Sequence, residues 1–243
     1  MLKPFLPLLF FVLFFSVANA QKKPAAEFYK SGIAYKNNNK LTEALTAFNK
    51  AVLLKKDYDS AYVEIGNIYI KSGNMNGGMS NYKNALAINP TYTEALIGMG
   101  KIYRDVKPNY DSALFYYSAA LKTDSTNKET FYALAWTHNA KKEFDKAIPY
   151  AIKALEIDNK YKPAYGELGY AYRSTKKFAE CIEQFKKNLA VSVVDVAYLY
   201  SGYAYTELNN KEGALQQYEE LKKINERMAA ALKQKIDKME VQE

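Results

Sequence analysis

The chain has 243 residues, 49% of them apolar and 25% charged, with a formal net charge of +8. That balance excludes a disordered chain and is enough for a large core or a repeat array. One histidine and one cysteine argue against a metal site, which needs several clustered ligands.

The first twenty residues, MLKPFLPLLFFVLFFSVANA, read as a signal peptide. Lys3 supplies the basic start, Phe5 to Phe15 the apolar run, and Ala18-Asn19-Ala20 the small residues for cleavage. The apolar run is shorter than the ~20 residues a bilayer span needs. Cleavage before Gln21 removes Lys3 and leaves a net charge of +7 (8 − 1). The expected location is exported: periplasm, cell surface or extracellular. Export permits disulfides, yet Cys181 is the sole cysteine, so packing alone must hold the fold. Residues 21–24 are expected to be a disordered start.

From residue 25 the chain repeats itself. Small residues fall at Gly32, Gly66, Gly100, Ala135, Gly169 and Gly202, at spacings of 34, 34, 35, 34 and 33. Three residues after each comes Tyr35, Tyr69, Tyr103, His138, Tyr172 and Tyr205. A second small residue follows at Ala44, Gly78, Ala113, Ala147, Cys181 and Ala214. Four further on stand Phe48, Tyr82, Tyr117, Ala151, Phe185 and Tyr218. Apolar positions recur at three- and four-residue steps, so each unit predicts two amphipathic helices joined by a polar turn such as Asn37-Asn38-Asn39-Lys40. The small residues let two backbones approach, and the large aromatic fills the remaining space. A lone hairpin cannot bury both its faces, so the units must stack.

The predicted units run 25–58, 59–92, 93–127, 128–161, 162–194 and 195–224. The second is irregular, because Gly77-Gly78 weakens its second helix by about 1 kcal/mol per glycine against alanine; that helix is expected to be the most mobile. The third carries one extra turn residue in Val106-Lys107-Pro108-Asn109. The fourth departs at three positions. His138 replaces Tyr, Ala151 replaces the aromatic, and Pro149 threatens a kink; Tyr150 is expected to turn inward. Residues 225–243 predict a capping helix and tail, with Met228, Leu232, Lys235 and Met239 on one side.

This pattern resembles the tetratricopeptide repeat family, over about residues 25–224. The resemblance implies an all-α, right-handed superhelical α-solenoid of six helix-turn-helix repeats plus a C-terminal capping helix. It also implies that the first helix of each unit lines a concave groove. On that helix the residues three before, one after and four after the small residue face the groove. The candidate peptide-binding residues are therefore Tyr29, Ile33, Val63, Asn67, Ile97, Lys101, Arg104, Tyr132, Trp136, Tyr170, Arg173, Leu199 and Tyr203. Aromatic and arginine side chains are favoured anchors at interfaces. Lys101, Arg104 and Arg173 would suit acidic groups on a partner. The carboxylate-holding clamp of some family members is absent, since Tyr29, Ile33, Glu64, Glu94 and Gly98 stand at its positions.

Chemistry of other kinds finds little support. Gly77-Gly78 lacks the lysine of a phosphate loop. Cationic residues are spread through every unit rather than gathered in a stripe, which disfavours nucleic acid. No catalysis and no cofactor is expected. The reading is a non-catalytic exported scaffold that binds protein or peptide. The alternative is a structural subunit of a bacterial envelope or secretion assembly, binding through its convex face or C-terminal helix.

Overall fold

The computed structural model describes residues 24–106 and 108–239. The expected signal peptide, residues 1–20, and residues 21–23 lie outside the described residues, as does the tail 240–243. Pro24 is not part of a disordered start: it caps the first helix, and its carbonyl accepts from the Glu27 N–H at 2.8 Å.

The described residues form thirteen α-helices and no strand. Six pairs come first: α1 (Ala25–Asn37) with α2 (Leu41–Leu54), α3 (Asp59–Lys71) with α4 (Met75–Ile88), and α5 (Thr93–Asp105) with α6 (Tyr110–Thr123). Then follow α7 (Lys128–Ala140) with α8 (Phe144–Ile157), α9 (Lys162–Thr175) with α10 (Phe178–Leu189), and α11 (Asp195–Glu207) with α12 (Lys211–Ile224). A last helix, α13 (Glu226–Met239), stands alone. Contacts divide the chain into two compact units, Met1–Pro90 and Thr91–Glu243.

One turn recurs in all six pairs. The N–H of the residue before each second helix donates back to the carbonyl of the Tyr or His near the end of the first. These bonds are Lys40 to Tyr35, Asn74 to Tyr69, Asn109 to Tyr103, Glu143 to His138, Lys177 to Tyr172 and Asn210 to Tyr205, all 2.8–3.0 Å. In five of the six the residue just before it turns left-handed, with positive φ at Asn39, Gly73, Lys142, Lys176 and Asn209; the third pair has Pro108 at that place. Gly73 and the two asparagines suit that region, while the two lysines are strained there. Asn74, Asn109 and Asn210 also cap their helices, accepting from Gly77, Ser112 and Gly213 N–H at 2.9, 2.9 and 2.8 Å.

The small-against-large rule holds in the first three pairs. A Cβ on Gly32 would lie 2.5 Å from the Phe48 ring, on Gly66 2.8 Å from Tyr82, and on Gly100 2.6 Å from Tyr117. In the last two pairs the filler comes from farther along the chain. Tyr200 of α11 packs on Gly169, and Leu232 of α13 packs on Gly202. Phe185, expected against Gly169, is fully buried among Tyr165, Tyr172 and Tyr200 instead. The capping helix therefore completes the sixth pair. Its buried seam is Ala229, Leu232 and Ile236, one step round from the predicted stripe. Lys235 lies outside that seam and pairs with Glu207 at 2.8 Å.

In the fourth pair α8 runs on through Pro149, which sits on its exposed side. The space left by Ala151 is taken as the sequence suggests: Tyr150 packs inward, onto the core around Ala135 and onto that around Tyr117. In the second pair Gly66 and Gly78 face one another, each Cβ position 3.3–3.4 Å from the other's carbonyl oxygen. Glycine at both sites lets these two helices meet backbone to backbone.

Candidate functional site

In the unit ending at Pro90 the candidate face is mostly consumed by packing. Tyr29 stacks on Tyr58, with ring centroids 5.0 Å apart, and Ile33 packs against the core around Phe48. Asn67 accepts from the Tyr82 hydroxyl at 2.6 Å. Val63, expected to face the groove, is fully buried. Its neighbours on α3 explain this: Ala61, Glu64, Ile65 and Gly66 are buried too, so this helix is enclosed on more than one side. Lys36, near the end of α1, reaches Glu64 on α3 and pairs with it at 2.7 Å.

The unit starting at Thr91 is more open. Lys101 and Arg173 are exposed. Arg104 is not a free cation: it forks onto Asp105 at 2.6 and 2.8 Å and lies 5.0 Å over the Trp136 ring. The Asp105 bond pushes its pKa further up. Trp136 is half-buried, edge-on to Tyr110 at 6.2 Å. Tyr132 is edge-on to Tyr161 at 5.8 Å, and burial raises its hydroxyl pKa. Ile97 and Leu199 pack against core clusters and offer little open surface.

Trp136 and Tyr170 line one open depression of about 460 Å³, together with Asn139, Lys142, Gly166, Glu167 and Tyr200. Tyr170 is 47% exposed and meets Phe144 edge-on at 5.6 Å. Arg173 and Tyr203 line a smaller recess beside it with Tyr200 and Glu207. Asn139 is buried, and its amide nitrogen donates to Glu167 twice, to the backbone oxygen at 3.0 Å and to Oε2 at 2.9 Å. Burial pushes the Glu167 carboxyl up, against the Asn139 hydrogen bond and the attraction of Arg104.

Glu167 and Tyr200 were absent from the candidate list. Both stand two residues before their small residue, Gly169 and Gly202. A face drawn from three before to one after passes directly over that position, so a wider stripe would have included them.

The one histidine and the one cysteine are both engaged in packing. His138 lies flat on Tyr150 and shares a 2.7 Å hydrogen bond with Glu143 Oε2. Cys181 is 3% exposed, and burial pushes its thiol up to about 12, away from the reactive thiolate. Among the described residues no group of three or more His, Cys, Asp or Glu is placed to hold a metal ion. No helix among them is long and apolar enough to cross a membrane. The arrangement can hold a ligand by stacking, charge and hydrogen bonds.

Comparison with known proteins fits this geometry. A tetratricopeptide repeat profile matches residues 28–58, 59–92, 129–161 and 163–190, and a second one matches 196–225. The third pair, with its extra turn residue, is not among these matches. A photosystem I assembly protein, Ycf3 of Cyanophora paradoxa, is 26% identical over 121 residues, covering 43% of this chain and 70% of its own. Ycf3 of Prochlorococcus marinus subsp. pastoris is 31% identical over 90 residues, 36% of this chain and 51% of its own. This chain thus spans about half the length of that relative.

Among solved structures, YrrB, described as a repeat protein of this family with an unusual peptide-binding site, aligns with a TM-score of 0.63 at 23% identity. The alignment covers 77% of this chain and 98% of YrrB. PilW, a type IV pilus biogenesis factor, aligns at 0.64 with 15% identity, over 86% of this chain and 97% of its own. MamA aligns at 0.60 with 25% identity, over 71% and 94%. With paired helices throughout, small residues set against large ones, and family profiles across five of six pairs, this all-α helical-repeat solenoid belongs to the tetratricopeptide repeat family.

Proposed function

We propose that the chain is an exported, non-catalytic scaffold that holds a protein or peptide on the face made by the first helices of its pairs. The observation that carries this is the depression between Trp136 and Tyr170, where aromatic side chains stay open to a ligand although neighbouring core space is filled. A preformed surface of this kind lowers the ordering cost of binding. Acidic groups of a partner would meet the exposed Lys101 of α5 and Arg173 in the adjoining recess, since Arg104 is already matched by Asp105. Export rests on residues 1–20 alone. The peptide-binding site of YrrB supports the same reading by analogy of fold.

The test is capture by crosslinking from envelope extracts. The parent protein is compared with Trp136→Ala, Lys101→Glu, Tyr170→Ala combined, whose helicity is checked by circular dichroism. A partner held by the parent and lost by the variant supports the reading. A partner held equally by both moves the site elsewhere.

A second reading has an observation of its own. Phe115, Val191 and Val193 are 67%, 71% and 65% exposed and lie away from the candidate face residues in sequence. Apolar side chains in that state suit a permanent contact in an envelope assembly, and a type IV pilus biogenesis factor shares the fold. Capture that survives the triple variant but fails on Val191→Ser, Val193→Ser would favour it.

A further inference from the structure

The slot two residues before the small residue holds a carboxylate in two pairs, Glu64 on α3 and Glu167 on α9. Each is approached by the residue twenty-eight positions earlier, near the end of the preceding first helix. For Glu64 that residue is Lys36, and an ion pair closes at 2.7 and 2.8 Å. For Glu167 it is Asn139, a neutral amide. The same joint is thus built once with its own cation and once without.

Among the described residues no Lys, Arg or His pairs with Glu167; the salt bridges of this region go to other acids. The Asn139 amide is fixed in orientation, because both groups it touches are acceptors. Its own Oδ1 is left buried with no donor. Glu167 is half-buried and feels Arg104 without bonding to it, and a partly desolvated carboxylate with no bonded cation is an unfavourable arrangement that an opposite charge relieves. Burial already raises the carboxyl's affinity for a proton, the smallest cation available.

The walls suit a cation as well. Trp136, Tyr170 and Tyr200 line the same depression, and aromatic faces attract ammonium and guanidinium groups. Arg104 over Trp136 shows this contact made within the chain. Lys142 also lines the depression, but it is exposed and its charge is screened by water more than that of the half-buried Glu167.

We propose that the depression between Asn139, Glu167, Tyr170 and Tyr200 receives a basic side chain, lysine or arginine, of a bound peptide, with Glu167 as its counter-ion. This rests on the scaffold reading above and adds to it the charge of the segment that is held. Arg173, in the adjoining recess, then meets an acidic residue flanking that basic one.

Trp136 is the only tryptophan of the chain, so its emission reports on this depression alone. The probes are blocked pentapeptides with lysine, arginine, glutamate or methionine between pairs of alanines. They are titrated into the full chain by fluorescence and calorimetry. The lysine and arginine peptides should saturate at up to millimolar concentration and bind about tenfold tighter than the glutamate and methionine peptides. Glu167→Gln keeps an acceptor for Asn139 and should erase the preference. Asn139→Lys copies the Lys36–Glu64 pair and should fill the site from within, erasing it as well.

Equal binding of all four peptides, a preference that survives Glu167→Gln, or no saturable binding of either basic peptide would overturn the proposal. The parent reading fails separately. Groove-dependent capture that ignores Glu167→Gln leaves the scaffold standing and removes the cation site. Basic-peptide binding through Glu167 without any captured protein does the reverse.

Discussion

The ring of Tyr150 lies flat against that of His138, 5.4 Å away and within 4° of parallel. Here the fourth pair replaces a lost aromatic. Ala151 cannot fill the space its counterparts fill, and the residue beside it does so from a different angle. Tyr150→Ala should therefore lower the unfolding free energy by about 1–3 kcal/mol, the value of burying a large side chain. Phe115→Ala, at an exposed ring, should change it by less than about 0.5 kcal/mol. Urea denaturation of both variants measures the difference. Similar losses would show that Tyr150 is not structural.

Two tyrosines at the same repeat position differ in what their hydroxyls meet. The Tyr82 hydroxyl donates to Asn67 at 2.6 Å, whereas the buried Tyr117 hydroxyl has no partner among the described residues. Tyr82→Phe should cost about 1 kcal/mol, and Tyr117→Phe should be neutral or stabilising. Thermal melts of the two variants, compared side by side, decide it; equal losses would contradict the assigned bonding.

Lys176 ends α9 with φ of 57°. A lysine in that region is strained, and glycine is not. Lys176→Gly should raise stability by about 0.5–1 kcal/mol even though its side chain is exposed. An unchanged or lowered melting temperature would count against the turn geometry described for the six joints.

The carboxylates set the response to acid. The hydrogen bond from His138 holds Glu143 below its ordinary range, with help from Lys141 and Lys146. The bond from Lys128 does the same for Asp158. At Asp195 burial pushes upward, and the bonds from Asn225 and Lys162 outweigh it. A lowered folded pKa means the unfolded chain takes up protons first. The stability from these groups is present above their unfolded values, and is lost as pH falls through the folded ones. Glu167 has the opposite sign, since its raised pKa favours folding as it protonates. Hydrogen bonds from Thr126 and Lys187 lower Asp124 and Glu183 as well, and five lowered groups against one raised group predict a melting temperature that drops below about pH 4. A melting temperature that keeps rising down to about pH 3 would reverse the assignment.

The glycines of α4 allow close contact with α3 and yet weaken the helix itself. Amide exchange in Met75–Ile88 should be faster than in α10 and α12. Slower exchange there would mean that the Gly66–Gly78 contact outweighs the loss of helix propensity.

Much of this architecture was legible in the sequence. The period, the paired helices and the partners of Gly32, Gly66 and Gly100 follow from local spacing, because each contact lies within one hairpin. Tyr200 on Gly169 and Leu232 on Gly202 were not legible, since those fillers sit about thirty residues away and depend on how the next helix packs. Pro149 threatens α8 by residue type, yet the ring is exposed and the helix is unbroken. The candidate face was legible only in part. Helical spacing finds the stripe but not its width, so Glu167 was passed over. Spacing also cannot show that Val63 is enclosed by neighbouring helices, because that is a property of the stack.

The turn bond that recurs six times survives an added residue. Asn109 still reaches the Tyr103 carbonyl at 2.9 Å although its turn is one longer than the others. Each joint therefore closes on itself and asks nothing of distant parts of the chain. A gene encoding such a chain can gain or lose a whole hairpin by unequal recombination without breaking the turn bond of any hairpin that remains. The length of the array is then free to drift under selection for whatever the face must span.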